Sequence, residues 1–223
     1  MKVIDAEELE KSFGDTEALS GISFEADEGE IVGFLGPNGA GKSTTVEILT
    51  GQADRDSGSV EVLGMDPGNG VELREKLGIL PEREDPPSFL TGDEYLEFVS
   101  DIRGEDIERD RWVERFRLEG KMSKLTRDLS KGERQKLMVI QAFFHEPELV
   151  FIDEPMINLD PVIQQEVRQL FQEHEGTVFL CTHNADLAEE VCDTVFFLRD
   201  GEIIEKLDDT ENLEQKFLEH YDY

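Results

Sequence analysis

The residues Gly36-Pro37-Asn38-Gly39-Ala40-Gly41-Lys42-Ser43 follow a short apolar run, Glu30–Leu35, and lead into a segment of helical composition, Lys42–Leu49. Glycines in such a stretch let backbone N–H groups approach an anion that side chains would hold off. A lysine and a hydroxyl at its end complete the G-x-x-x-x-G-K-[ST] pattern that cradles nucleotide phosphates. In that pattern Lys42 supplies a point charge to the β- and γ-phosphates and Ser43 a hydroxyl to Mg²⁺, with Thr44 beside it at the helix start. A second group, Asp153-Glu154, closes the apolar run Leu149–Ile152. Carboxylates at the carboxyl end of a strand lie where open α/β sheets bind ligands. Asp153 fits a Mg²⁺-holding aspartate, and Glu154 is placed to polarise an attacking water. Alone, two acids in an acidic protein make a solvated turn. With a phosphate loop in the same chain they complete a phosphoryl-transfer site.

Strands and helices must alternate to hold these groups. Val3–Phe13 and Ala18–Ala26 read as early strands, followed by Glu30–Leu35, Ser59–Leu63 and Leu77–Leu80. From Pro86 to about Arg127 the character changes, and Thr91–Arg103 and Ile107–Leu118 carry amphipathic helix patterns around Gly104. Residues 84–128 are expected to be an inserted helical subdomain. The alternation then resumes with Leu149–Ile152, a helix at Val162–His174 and the strand Thr177–Cys181. Thr194–Leu198 and Glu202–Glu205 flank Asp200-Gly201, a type I′ hairpin signal. Residues 206–223 read as an acidic helix or frayed tail. The expected fold is one α/β domain over 1–223: a phosphate-loop core of mostly parallel sheet, with an antiparallel β portion and the helical insertion.

At Leu129-Ser130-Lys131-Gly132-Glu133 the sequence resembles the signature motif of ABC ATPases. The order of phosphate loop, helical insertion, signature, Asp153-Glu154 and Thr182-His183 matches that family over essentially the whole chain. The resemblance implies a head-to-tail dimer with a second ABC ATPase domain, identical or homologous, and an ATP between each phosphate loop and the partner's signature. It implies that Ser130 and Gly132 contact the γ-phosphate across that interface, Ser130 at the start of a helix over Arg134–Phe144. It makes His183 the switch histidine that orients the attacking water, Phe13 the aromatic that stacks on adenine, and Asp160 a carrier of signals between the two sites. ATP and Mg²⁺ are the implied cofactors, with Lys42, Glu154 and His183 catalytic and Ser43, Glu82 and Asp153 around the metal. Four positions depart from the family's usual residues. Glu82 stands for a glutamine, as in members resembling drug and sodium exporters. Met156 and Asn158 replace a threonine and a glycine, and Lys131 replaces a glycine of the signature.

The implied function is the ATP-hydrolysing subunit of an exporter, peripheral at the cytoplasmic face of the membrane. Its partner is a separate integral membrane permease, moved through the Glu82–Arg127 region. A cytosolic ABC-type ATPase that remodels a protein complex is the alternative of a different class. A regulatory module without hydrolysis fits poorly, because Lys42, Ser43, Asp153, Glu154 and His183 are all present.

Composition bounds these readings. No apolar run approaches the ~20 residues of a membrane-spanning helix, and the N-terminal residues lack the apolar core of a signal peptide. Cys181 and Cys192 have no metal or redox spacing and read as buried small hydrophobes. Acidic residues number 53 against 22 basic, a formal net charge of −31 over 223 residues. Such a surface opposes nucleic-acid binding, which needs basic groups to displace counterions. It also repels itself at low ionic strength. At molar salt the Debye length falls to about 3 Å and most of that repulsion is screened. The expectation is therefore a molar-salt cytoplasm, as in extreme halophiles. Unfolding curves in dilute and molar KCl test it: stability rises with salt, and a chain more stable in dilute buffer would contradict the expectation.

Overall fold

A computed structural model describes residues 1–83, 86–156 and 158–221. Glu84 and Asp85 at the expected start of the insertion, Ile157 within the 154–160 loop, and Asp222 and Tyr223 lie outside the described residues. Strands β3 (Ile31–Leu35), β5 (Leu77–Leu80), β6 (Leu149–Asp153), β7 (Thr177–Thr182), β8 (Thr194–Arg199) and β9 (Glu202–Leu207) form one sheet in the order β5-β6-β7-β3-β8-β9. All its pairings are parallel except β8 with β9. Strands β1 (Lys2–Phe13), β2 (Thr16–Asp27) and β4 (Ser57–Val62) form a separate antiparallel sheet, β2-β1-β4.

The central strands LVFID and TVFLCT are buried along their whole length, which is why they read as unbroken apolar runs. Alternate residues serve two cores. Phe34, Phe151, Phe179 and Phe196 belong to the core shared with the antiparallel sheet, where they gather around Phe24 with ring centroids 4.6–5.9 Å apart. Leu35, Ile152, Leu180 and Phe197 belong to the core on the other face, shared with the helices.

Helix α1 (Lys42–Leu49) follows the phosphate loop. A short α2 (Val71–Glu75) precedes β5, and α3 (Gly92–Arg103) and α4 (Arg109–Arg115) occupy the insertion. Helix α3 starts at a Thr91–Glu94 capping box and stops at Gly104 in the left-handed region. Helix α4 is shorter than the expected Ile107–Leu118, and Arg117 beyond its end has φ +55°. Helix α5 (Lys131–Phe143) begins before Arg134, because Ser130 and Glu133 form a reciprocal capping box. Helix α6 (Pro161–Glu173) carries Asp160 as its cap and proline at its first position.

Helices α2 and α7 (Ala185–Val191) were not expected; each is under two turns or close to it, too short to show a 3.6-residue period. Asp200 and Gly201 both have positive φ, the requirement of a type I′ turn. Residues 206 and 207 belong to β9, α8 (Leu213–His220) follows, and Tyr221 beyond it is buried.

Register brings the chemistry together. Cys181 of β7 lies beside Phe34 of β3 on one flank and Asp153 of β6 on the other. The phosphate loop, the acidic pair and Thr182-His183 therefore leave the sheet at the same edge, within two residues of one row.

Candidate functional site: a phosphate loop facing an acidic pair

The loop after β3 fits its glycines tightly. A Cβ on Gly36 would lie 2.3 Å from Leu198 O, and one on Gly41, which sits at φ +107°, 2.8 Å from Ala18 O. Neither position has room for a side chain. Lys42 is buried, and its Nζ donates to Gly36 O at 2.7 Å and Pro37 O at 3.1 Å. The ammonium thus closes back over its own loop, held by carbonyls at the place where phosphate oxygens would compete for it. Asn38 and Gly39 are exposed at the loop tip, Ala40 is buried beneath it, and Ser43 is exposed with Thr44 half-buried behind it.

Ser43 Oγ donates to Asp153 Oδ2 at 2.6 Å, joining the loop to the end of β6. Burial pushes the Asp153 carboxyl above its ordinary range. The Ser43 bond opposes that shift, while the neighbouring charges of Glu154 and Glu82 add to it. Glu82, exposed after β5, is therefore within electrostatic reach of the same point. A buried carboxylate, a serine hydroxyl and a nearby second carboxylate make an all-oxygen set with excess negative charge. That donor chemistry suits a hard divalent cation such as Mg²⁺.

Glu154 is held through both oxygens. Oε1 accepts from the His183 backbone N–H at 2.9 Å and lies 2.6 Å from His183 Nδ1, and Oε2 accepts from Thr182 Oγ1 at 3.2 Å. Its backbone N–H donates to Cys181 O at 2.9 Å, and its φ is +49°. Non-glycine residues seldom adopt this region, and they gather at functional sites when they do. With Glu154 ionised, Nδ1 of the exposed His183 carries the shared proton and Nε2 remains for another partner. Thr182 is a site residue that sequence reasoning passed over. Its hydroxyl holds Glu154 and also accepts from Asn184 N, the cap of α7.

The remaining residues named from the sequence stand at some remove. Ser130 Oγ accepts from Glu133 N at 3.1 Å, capping α5. A Cβ on Gly132 would meet Asn158 O at 2.6 Å, so the signature is seated on the 154–160 loop. Among the described residues no hydrogen bond links Ser130 or Gly132 to the phosphate loop of the same chain. Asn158 has φ +64°, the conformation a glycine would take there. Asparagine tolerates it better than most residues, which accounts for that departure from the family pattern. Met156 is half-buried against the helix-side core. The Asp160 carboxylate accepts from Val162 N and Ile163 N. Phe13 ends β1 exposed, with Lys11 Nζ 5.2 Å from its ring centre.

The model of the ABC transporter family matches residues 19–157. An uncharacterised ABC transporter ATP-binding protein of Methanocaldococcus jannaschii is 36% identical over 209 residues, covering 90% of this chain and 76% of that one. A Nod factor export ATP-binding protein of Rhizobium etli is 32% identical over 214 residues, covering 92% and 67%. The solved structure of an ATP-binding subunit of an ABC transporter superposes with a TM-score of 0.85 at 30% identity, over 92% of this chain and 89% of that one. Family model, relatives and fold agree on an ATP-binding cassette of an ABC transporter. The chain belongs to the ABC transporter family as an ATP-binding subunit, and its reaction is ATP hydrolysis.

Proposed function

We propose that this subunit closes head to tail with a second ABC ATPase domain, cleaves ATP between them, and so drives export through a separate membrane permease. The observation that carries the catalytic part is the Ser43–Asp153 bond, with Glu154 fastened beside it by Thr182 and His183. In this reading the loop N–H groups and Lys42 hold the phosphates, and Ser43, Asp153 and Glu82 hold Mg²⁺. Held there, Mg²⁺ would supply charge neutralisation at the phosphoryl oxygens. Glu154 orients the attacking water and His183 contacts the γ-phosphate. Phe13 offers an exposed ring for the adenine.

A composite site fits the placement of the signature. Ser130 caps α5 and Gly132 lies close against Asn158, and among the described residues neither is hydrogen-bonded to its own phosphate loop, which leaves them available to another chain's nucleotide. The exposed Lys131 at the first position of α5 sets a cation at the positive end of a helix dipole, an arrangement an incoming anion would relieve.

Docking on a permease is supported by the insertion. Phe98 and Ile102, four residues apart on α3, are exposed, as is Phe89 just before it. No helix among the described residues is long and apolar enough to cross a membrane; in this reading the subunit docks on the permease at the cytoplasmic face. Export is favoured by Glu82 and by the Nod factor relative. The acidic surface suits work at molar salt.

Three outcomes test this. Asp153→Asn removes a carboxylate that burial disfavours. Its raised ionisation point means that Asp153 opposes folding at neutral pH and ceases to as the pH falls. The nucleotide-free variant should melt at or above the parent's temperature, yet lose the stabilisation that Mg²⁺-ATP gives the parent; a large drop without nucleotide contradicts the burial argument. Glu154→Gln should still bind ATP and accumulate a dimer, while turnover falls by about a hundredfold or more. Near-normal hydrolysis would remove Glu154 from the reaction. Purified from detergent-solubilised membranes of its own cells, the subunit should carry an integral membrane protein with it. Consistent absence of one would favour the cytosolic alternative.

A further inference from the structure

The phosphate loop is braced by strand β8 and, through Tyr221, by the end of helix α8. Leu198 O of β8 lies so close under Gly36 that it excludes a side chain there. That same carbonyl accepts a hydrogen bond from the Tyr221 hydroxyl at 2.6 Å, and Leu35 O, one residue before the loop, lies 3.2 Å from the same oxygen. A phenol has one proton to give, so Leu198 O takes the bond and Leu35 O shares it more weakly.

The two carbonyls sit where the β3–β8 ladder ends, at the Leu35–Phe197 pairing, and where the strands begin to part. Three residues beyond Leu198, the β8–β9 turn supports the loop a second time: Gly201 N donates to Ala40 O at 3.1 Å, while Gly201 O accepts from Ser20 N at 2.9 Å. The loop thus rests on β8 at its first residue and on the hairpin turn at its fifth.

Tyr221 reaches this point because α8 is fastened over Phe197. The Phe217 and Tyr221 rings lie 4.3 Å apart, each 6.2 Å from Phe197. Arg199 donates to His220 O at 3.0 Å, His220 Nε2 lies 2.7 Å from Glu205 Oε2, and Leu213 N donates to Glu189 Oε2 at 2.8 Å. Burial holds the phenol well above its ordinary ionisation range, so the hydroxyl remains a donor.

We propose that Tyr221 is a positioning residue for nucleotide binding: its hydroxyl holds the ends of β3 and β8 at the separation the phosphate loop needs, so the C-terminal helix sets nucleotide affinity without touching the nucleotide. Without that donor, the buried Leu198 carbonyl loses the hydroxyl that meets it, and the least costly relief is for the strand ends to part and admit water. Gly36, wedged against Leu198, moves with them. Loop N–H groups displaced in this way bind every nucleotide state less well, whereas the water-orienting groups on β6 and β7 keep their places. The signature of the defect is therefore in affinity, with turnover at saturation preserved.

Tyr221→Phe keeps the ring and removes the hydroxyl. In the purified full-length subunit it should raise both KM for ATP and the dissociation constant for ADP, each about tenfold, with kcat within about twofold of the parent. ADP binding gives this readout even in a subunit whose hydrolysis requires its partners. Unchanged ADP affinity, or a fall in kcat at constant KM, would overturn the proposal. Should Tyr221→Phe not fold, Phe217→Leu loosens the seat of α8 while leaving the hydroxyl. It should weaken ADP binding by a smaller factor, and a lower melting temperature with ADP affinity intact would show the helix to be a structural prop alone.

Discussion

Phe34, Cys181 and Asp153 occupy one row across three parallel strands, and that row fixes the distance between the phosphate loop and the acidic pair. Parallel pairing is what makes this possible. Strands that run the same way end at the same edge, so groups far apart in sequence, such as Ser43 and Asp153, meet within 2.6 Å. The row is held on one side by the phenylalanine cluster around Phe34 and on the other by the helices packed on Leu35 and Ile152. A one-residue slip of β6 against β7 would turn Asp153 out of the site and bring a neighbour of opposite facing into it. The two cores therefore serve the chemistry by making that slip costly.

Within this frame the site is assembled against local preference. Asp153 is ionisable and buried, Glu154 holds a left-handed backbone, and the buried Lys42 ammonium donates to the backbone carbonyls of Gly36 and Pro37. Each feature disfavours the folded chain on its own, and in the proposed reading a bound triphosphate with its metal would relieve two of them: the Lys42 ammonium would meet phosphate oxygens, and the Asp153 carboxylate a counter-charge. Binding and folding are then linked in the usual way, the ligand stabilising the state whose unmet demands it fulfils.

Much of this was legible in the sequence because it depends on short-range rules. The glycine spacing from Gly36 to Gly41 reports how near the backbone must come to a neighbour. The apolar runs ending at Leu35 and Ile152 report burial on both faces, and Asp200-Gly201 reports a turn with two positive φ values. Asn158 shows the same rule under substitution, since only a residue tolerant of the left-handed region could stand there. Other features had no local signal. Thr182 holds Glu154 through a strand neighbour that no spacing announces, and α2 and α7 are too short to display a period. Tyr221 is the clearest case: in sequence it is an aromatic in an acidic tail, and only the return of the chain to β8 gives its hydroxyl two carbonyls to meet. Helix α5 starts at Lys131 and not at Arg134, because the Ser130-to-Glu133 capping box, and not composition, sets its boundary.

The charge of the chain sharpens the question of how it binds an anion at all. With 53 acidic residues against 22 basic, the long-range field repels a triphosphate, and no arrangement of surface ion pairs can neutralise the excess. Recognition must then be short-ranged. In the proposed reading the dipole at the start of α1, the loop N–H groups and the buried Lys42 would act at contact distance, where their attraction exceeds the repulsion of distant, screened surface carboxylates. Salt separates the two scales: it screens repulsion between surfaces beyond a few ångströms and leaves the contacts inside the loop nearly unchanged. An acidic shell around a site made of backbone dipoles is therefore compatible with tight nucleotide binding, on the condition that the loop's geometry is held firmly. Leu198, Gly201 and the helix that ends at Tyr221 are placed to hold it.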